Sequence, residues 1–323
     1  MKSACWARSG RMHMNRKMDE VTYKALIVAP LLILLSVTLF PFLFVLVVSF
    51  FKVRSYNLDS SWEFAGIQNY LEVFSDRENI TSVLNTVLYI IYALGVEFII
   101  GMAMAALLLY VKEKYRFSLI LPFLIPLLLA PIVVAMLWKQ VLAYDGGLLN
   151  RFLSIFSLEP VVWLSPEPLF GGNLSLQQSL NMTHGFISLL LVEIWQWTPL
   201  FVAGFLVSFS ILRKEIIQSA VMDGASPLRI FTDIYFPMAK PLLYGLVLLR
   251  VMDMLKVYET IWVFFGNSPA FANINIRMVT TGIDIRNYSY CSAFSIVVFL
   301  LIFIVLILGR LLLERAGRLY YAD

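Results

Sequence analysis

The chain has 323 residues, of which 60% are hydrophobic and 14% are charged, and its net charge at pH 7 is +4. Its mean hydropathy of +0.81 excludes an ordinary water-soluble domain, which is about half apolar and a quarter charged. The lipid bilayer is therefore the expected solvent. The basic residues form short clusters between apolar runs, a pattern typical of membrane orientation, so no nucleic-acid partner is expected.

Six apolar segments are long enough to cross a membrane. They cover residues 25–51, 84–111, 117–142, 186–212, 241–265 and 292–313. We expect helices, because lipid offers no partners to open backbone groups and the segments are too long for barrel strands. Prolines in the first and third segments predict kinks and not breaks. The predicted class is an all-α integral membrane protein with six transmembrane helices.

The connecting segments predict the orientation of the chain. Successive connecting segments lie on opposite sides of the membrane. Lys and Arg are more frequent in residues 1–24, 112–116, 213–240 and the C-terminal end than in the long loops 52–83 and 143–185. The positive-inside rule then places both termini in the cytoplasm. The first apolar run is too long for a signal peptide and is expected to remain as an anchor. We expect a transmembrane domain over residues 25–315, between cytoplasmic tails at 1–24 and 316–323.

The cytoplasmic stretch 213–240 has the pattern of two short amphipathic helices joined by a turn. Gly224 suits the left-handed position after a helix, Ser226 an N-cap and Pro227 a first helical position. Apolar residues recur at helical spacing on each side of the turn, at Ile216, Ile217, Ala220 and Val221 and then at Leu228, Phe231, Ile234 and Tyr235. Two interpretations stay open from these residues alone: docking into a groove of a soluble partner, or resting on the membrane surface.

The fifth predicted span carries an unusual row of charges. Residues of alternating sign recur every three positions, at Arg250, Asp253, Lys256 and Glu259. Each charge costs about 2.5–3.5 kcal/mol at the bilayer centre, so none is expected to face lipid. Neighbouring charges are predicted to pair along a continuous helix. The row then either forms a wall of a translocation path or locks the helix to a partner subunit, and Arg250 lies near the inner end, where it can snorkel.

Other polar residues in the spans are harder to assign. Trp262 suits either solute stacking or an interfacial aromatic belt. Glu97 is isolated in the second span and requires a partner that the sequence does not identify. Glu193 is expected at the start of the fourth span, where Trp195 and Trp197 anchor the helix at the interface. The two histidines are isolated, and neither metal-ligand spacing nor a phosphate-binding loop occurs, so we expect no metal, no cofactor and no ATP site in this chain.

Several short motifs occur together in an order known from one transporter family. Gln218-Ser219-Ala220, Asp223-Gly224-Ala225 and Phe236-Pro237 resemble the EAA loop of binding-protein-dependent permeases of ATP-binding-cassette importers. Further motifs are similar to the maltose-type sugar permeases, namely Phe64-Ala65-Gly66-Ile67-Gln68-Asn69-Tyr70, Asn85-Thr86, Leu121-Pro122, Gly147-Leu148-Leu149-Asn150 and Gly266-Asn267-Ser268-Pro269. The resemblance covers about residues 25–315, and it lies in order and spacing.

This resemblance implies a type I importer permease fold, a multi-pass location in the bacterial inner membrane, and import of a sugar or polyol. The implied partners are a second permease that completes a heterodimer, two ATP-binding subunits and an extracytoplasmic solute-binding protein. The residues implied for ATPase coupling are Glu215, Gln218, Ala220, Asp223, Gly224, Ala225 and Pro237. Those expected along the translocation path are Asp253, Lys256, Glu259 and Trp262. Gln218 replaces the Glu of the family pattern, which weakens that contact or moves it to Glu215.

Other functions fit the same composition. A permease of this type for a polyamine, phosphate or metal chelate differs only in its solute. A secondary transporter driven by an ion gradient would use the charges from Arg250 to Glu259 as a relay. A membrane enzyme requires a catalytic set of side chains, which the sequence does not contain.

Overall fold

The computed structural model describes residues 3–53, 62–169, 180–210, 212 and 214–320. The described part is mostly helical, which confirms the predicted class. The chain divides into two compact units. The first comprises residues 1–73 and 285–305, and the second comprises residues 74–284 and 306–323.

The first unit is built around two long helices. Its elements are α1 (Ser3–Val48), β1 (Phe51–Lys52), β2 (Glu63–Phe64), most of α2 (Gln68–Ser75) and the first part of the last helix (Tyr288–Tyr320). The two strands pair antiparallel, with Phe51 opposite Phe64. The side-chain amide of Asn69 donates to the carbonyls of Ser49 (2.8 Å) and Phe51 (2.9 Å), which fixes the chain where it leaves α1.

The second unit holds the remaining elements. The helices are α3 (Arg77–Leu109), α4 (Glu113–Leu128), α5 (Pro131–Val141), α6 (Leu148–Ile155), α7 (His184–Ser210), α8 (Lys214–Met222), α9 (Pro227–Ile230), α10 (Phe236–Met254), α11 (Glu259–Phe265) and α12 (Ile274–Val279). The last helix of the chain, α13 (Tyr288–Tyr320), begins in the first unit and ends in the second. Two π-helical turns, Phe231–Tyr235 and Thr280–Asp284, follow α9 and α12. Asp76 caps α3 by accepting from the Glu78 amide (2.9 Å).

The core of the second unit lies where α7 packs against α3 and α10. A Cβ atom added to Gly101 of α3 would lie 2.4 Å from the Cβ of Phe201 in α7. A Cβ atom on Gly204 of α7 would lie 2.5 Å from the Leu246 side chain in α10. Small residues at such positions allow membrane helices to approach closely, so that dispersion contacts hold them together. Phe201 and Phe205 are fully buried in this core.

Four helical stretches are long and apolar enough to span a membrane alone. They are Lys24–Val48 of α1, Arg77–Leu109, His184–Ser210 and Tyr288–Ile307 of α13. Two bent helix pairs raise the number to six when each pair counts as one span. All six predicted apolar segments therefore correspond to helices or helix pairs, and the helices begin or end several residues away from the predicted bounds.

The third span is broken, and the prediction that its prolines cause only kinks is wrong. Its two parts, α4 and α5, meet at an angle of 94°. Ala130 precedes Pro131 and has extended geometry (φ −63°, ψ 136°), because the proline ring disfavours helical geometry in the residue before it. The side-chain amide of Gln196 in α7 donates to the Leu129 carbonyl (3.2 Å), which the break deprives of a helical partner.

The fifth span is also broken, so the predicted continuous helix over 241–265 is wrong. A bend of 61° occurs near Pro241, and α10 ends at Met254, before α11 begins at Glu259. The intervening carbonyls of Leu255 and Val257 accept hydrogen bonds from the side-chain amide of Asn275 (2.7 and 3.1 Å). Such side-chain partners permit non-helical backbone at membrane depth.

Candidate functional site

The segment between α7 and α10 forms an elbow, which we define as residues 214–235. Gly224 has φ +77° and closes α8 with a Schellman motif, in which Ala225 donates to Ala220 (3.0 Å) and Gly224 donates to Val221 (3.0 Å). Ser226 caps α9 by accepting from the Arg229 amide (3.3 Å). The predicted helix–turn–helix is therefore confirmed. The second helix continues through the π-helical turn directly into α10.

One side of the elbow is anchored to the core of the second unit. Phe209, near the end of α7, contacts the rings of Phe231 (5.7 Å between centroids) and Tyr235 (5.2 Å). Ile230, which precedes Phe231 in the chain, is buried. Because Phe231 and Tyr235 lie in the π-helical turn that leads into α10, these contacts fix the base of the elbow to the end of α7.

The other side of the elbow exposes apolar side chains. Val221, Met222 and Leu228 surround the Gly224 turn, and Met222 is 87% exposed. In the predicted apolar stripe of the second helix, Leu228 is 73% exposed, whereas Phe231 and Tyr235 contact Phe209. An exposed apolar cluster of this kind on a fixed elbow is typical of a docking surface.

The residues predicted to couple to an ATPase occupy this elbow or its continuation. Glu215, Gln218, Asp223 and Gly224 are exposed, while Ala220, Ala225 and Pro237 are partly buried. Pro237 lies in the first turn of α10. Their contact with an ATPase stays a prediction.

A buried charge cluster, defined here as Arg250, Glu97, Glu193 and Asp253, joins three membrane helices. The Arg250 guanidinium in α10 binds Glu97 in α3 through two parallel hydrogen bonds of 3.0 and 2.9 Å. It also donates to Glu193 in α7 and, at 3.0 Å, to Asp253 one turn along α10. Arg250 and Glu97 are fully buried, and Glu193 is nearly so. The guanidinium carbon lies 4.3 Å from the centroid of the Trp197 ring.

This cluster corrects the predictions for Arg250, Glu193 and Trp197, and it supplies the partner that Glu97 was predicted to require. Arg250 does not snorkel, since it is fully buried. Glu97 has Arg250 as its partner. Glu193 lies well inside α7 and not at its start, and Trp197 covers the guanidinium instead of anchoring the helix at an interface. The detectable signal in the sequence was the presence of three unpaired charges in separate apolar spans, but nothing in one sequence pairs residues 153 positions apart.

The residues predicted to line a translocation path lie at or beside the break after α10. Asp253 is the member of the charge cluster that reaches the surface, with 41% of its side chain exposed. Lys256, Glu259 and Trp262 are exposed, and the Trp262 ring stacks on that of Tyr258 at 5.6 Å. Among the described residues, Lys256 and Glu259 form no salt bridge, so the predicted pairing along one helix is limited to Arg250 and Asp253.

Comparisons with known proteins agree with this architecture. Residues 98–318 match the family model of the binding-protein-dependent transport system inner membrane component. The chain is 30% identical over 240 residues to the trehalose/maltose transport system permease protein MalF of Thermococcus litoralis, covering 74% of this chain and 76% of that protein. It is 27% identical over 289 residues to the osmoprotective compounds uptake permease protein GgtC of Synechocystis, covering 87% and 95%.

The fold is also found in a crystal structure of a bacterial ABC transporter involved in the import of the acidic polysaccharide alginate. The TM-score is 0.77 at 19% identity, and the match covers 94% of this chain and 99% of that chain. The predicted type I importer permease fold and the multi-pass location in the inner membrane are thereby confirmed. The chain belongs to the family of inner-membrane components of binding-protein-dependent transport systems.

Proposed function

We propose that this chain is the permease subunit of an ATP-driven importer that carries a sugar or a related polyol into a bacterial cell. The names of two relatives support the solute class, since one is a trehalose/maltose permease and the other a permease for osmoprotective compounds. This chain provides part of the membrane path and has no catalytic centre. Separate subunits hydrolyse ATP.

The exposed elbow is the observation that carries the proposal. It joins α7 to α10, its base is held by Phe209, and its apolar tip at Met222 and Leu228 is exposed. An apolar tip on a fixed base suits a groove on a soluble subunit. Two ATP-binding subunits are the proposed partners on the cytoplasmic side, with one bound at this elbow and the other at the matching segment of a second permease.

The residues around the break after α10 support a path for a polar solute. Charges that face lipid cost about 2.5–3.5 kcal/mol each, so the exposed Lys256 and Glu259 require water or a partner subunit beside them. Broken membrane helices suit such positions, because irregular backbone is tolerated where it lines a cavity. Stacked Tyr258 and Trp262 offer an aromatic surface, and the carboxylate of Asp253 accepts hydrogen bonds from hydroxyl groups. A second permease completes the path, and a solute-binding protein delivers the solute from outside.

Substitution of Trp262 tests the path. We expect Trp262→Ala to raise the KM for uptake about two- to tenfold, because the lost ring contact is worth about 0.5–1.5 kcal/mol. Uptake of radiolabelled trehalose and maltose into proteoliposomes that hold the complete transporter, its binding protein and internal ATP measures this change.

Trp195→Ala is the matched control, because Trp195 is exposed to a similar extent (42% against 38%) but lies in α7, where its ring contacts Trp138 of α5. We expect its uptake to equal that of the unmodified protein. Equal KM values for both variants would show that Trp262 does not line the path. Uptake that persists without ATP would contradict the ATP-driven mechanism and favour a secondary transporter.

A further inference from the structure

The charge cluster connects the two helices that flank the elbow. Glu193 lies in α7, which leads into the elbow, and Arg250 lies in α10, which follows it. At a rise of 1.5 Å per residue, Glu193 lies roughly 25 Å from the end of α7 at Ser210, and Arg250 lies roughly 20 Å along α10 from its start at Phe236. A push on the elbow thus reaches this depth through two helices. These helices also pack against each other at Gly204 and Leu246, and the charge cluster adds a polar joint beyond that contact.

The geometry of Arg250 is suited to that joint. Its guanidinium is planar and presents five N–H donors in a fixed arrangement. These donors reach carboxylates in three helices, and the paired bonds to Glu97 fix the orientation of α3 relative to α10. The Trp197 ring lies against the face of the guanidinium. The joint is therefore directional, unlike the apolar contacts that hold the rest of these helices together.

Stability alone does not account for the cluster. Desolvation of buried ion pairs offsets much of their attraction, and apolar side chains of similar volume are often equally or more stabilising at such positions. Ionisable residues inside a membrane are also rare and mostly serve function. A requirement for a fixed geometry explains why the charges are present.

We infer that Arg250 is a positioning residue for energy coupling, and that it holds α3, α7 and α10 as one rigid body when the elbow moves. The inference rests on the proposed function. Asp253 binds the same guanidinium, and it is the first in the chain of the residues proposed to line the path. Movement at the elbow is thereby transmitted through Arg250 to the side chains that meet the solute.

The test compares two ways of removing the ion pairs of the charge cluster. Glu97→Gln keeps the shape of the side chain and removes its charge, while the combination Arg250→Met, Glu97→Met and Glu193→Met replaces the three buried charges by apolar groups. Each variant is purified with its ATP-binding subunits and reconstituted with the binding protein. The number of solute molecules transported per ATP hydrolysed, the melting temperature and the subunit composition are measured together.

We expect both variants to assemble and to hydrolyse ATP, and their solute-to-ATP ratio to fall about fivefold or more. The melting temperature of the triple variant should equal or exceed that of the unmodified complex, because the buried charges are gone. Glu159→Gln, at an exposed loop position, is the control and should leave the ratio unchanged. If the triple variant does not assemble, Glu97→Gln decides the question through the same ratio.

A normal solute-to-ATP ratio in the assembled Glu97→Gln or triple variant would overturn the inference and leave the cluster a packing feature. That result differs from failure of the proposed function, which would appear as uptake independent of ATP in the unmodified complex.

Discussion

Gly224 is the residue on which the shape of the elbow depends most. Its φ of +77° lies in the left-handed region, and an added Cβ would meet no atom within 4 Å. Any penalty for a larger residue there arises from the backbone and not from a clash. A left-handed conformation costs a non-glycine residue about 1–2 kcal/mol, and a β-branched side chain more, while Asn tolerates it better.

We therefore predict that Gly224→Val abolishes uptake while the protein still inserts into the membrane. The valine favours another backbone geometry, which turns α8 away from its docking orientation. Gly224→Asn should retain most of the uptake. Uptake in whole cells, with membrane insertion checked by immunoblotting of the membrane fraction, measures both effects.

Gly245→Ala provides the matched control, since Gly245 lies inside α10 and an added Cβ there also meets no atom within 4 Å. Its uptake should be normal. Normal uptake by Gly224→Val as well would show that the elbow does not need this geometry.

At the scale of elements, the contact between α3 and α7 depends on Gly101. An added Cβ would approach the Cβ and backbone of Phe201 to 2.4 and 3.2 Å, and a backbone cannot yield as the tip of a flexible side chain can. Gly95 is on the same helix but has open space around it. The two glycines thus separate the effect of packing from that of helix propensity.

Gly101→Ala should destabilise the protein by about 1–3 kcal/mol, because it forces two packed helices apart. Gly95→Ala should have no cost and is expected to stabilise α3 by about 0.5–1 kcal/mol, since alanine is the better helix former. Unfolding of the purified protein in detergent, followed by the fluorescence of its tryptophans, compares the two. Equal stability of both variants would contradict the close contact of α3 with α7.

The sequence predicts these elements unevenly. Long apolar runs reveal the spans, and Gly224, Ser226 and Pro227 reveal the elbow, because these signals are local. The sequence does not predict the breaks after Leu128 and Met254, because Gln196 and Asn275, whose side chains bind the freed carbonyls, lie far away in the chain.

The sequence predicts only part of the charge cluster, because the residues that pair in it also lie far apart in the chain. Apolar spans that contain Glu97, Glu193 and Arg250 indicate that these residues must be paired, but their pairing depends on how three helices pack. The predicted charge row over residues 250–259 treated the fifth span as one helix. With the break at 255–258, only Arg250 and Asp253 remain on the same helix.

At the scale of the whole molecule, coupling to ATP-binding subunits requires a definite orientation of the chain in the membrane. The excess of Lys and Arg in residues 1–24 and 213–240 predicts that both termini and the elbow lie in the cytoplasm, where ATP is hydrolysed. The exposed apolar tip at Met222 is then available to a soluble subunit on that side. If the elbow lay on the outer side, the cytoplasmic ATP-binding subunits could not contact it.

Cross-linking at Met222 tests whether the elbow contacts an ATP-binding subunit. In a variant with Met222→Cys and with Cys5 and Cys291 replaced by serine, a bifunctional thiol reagent should link the elbow to an ATP-binding subunit, and the yield should change when ATP is added. A membrane-impermeant maleimide should label Cys at this position only in inside-out vesicles. Labelling from outside intact cells, with no cross-link to an ATP-binding subunit, would contradict the account.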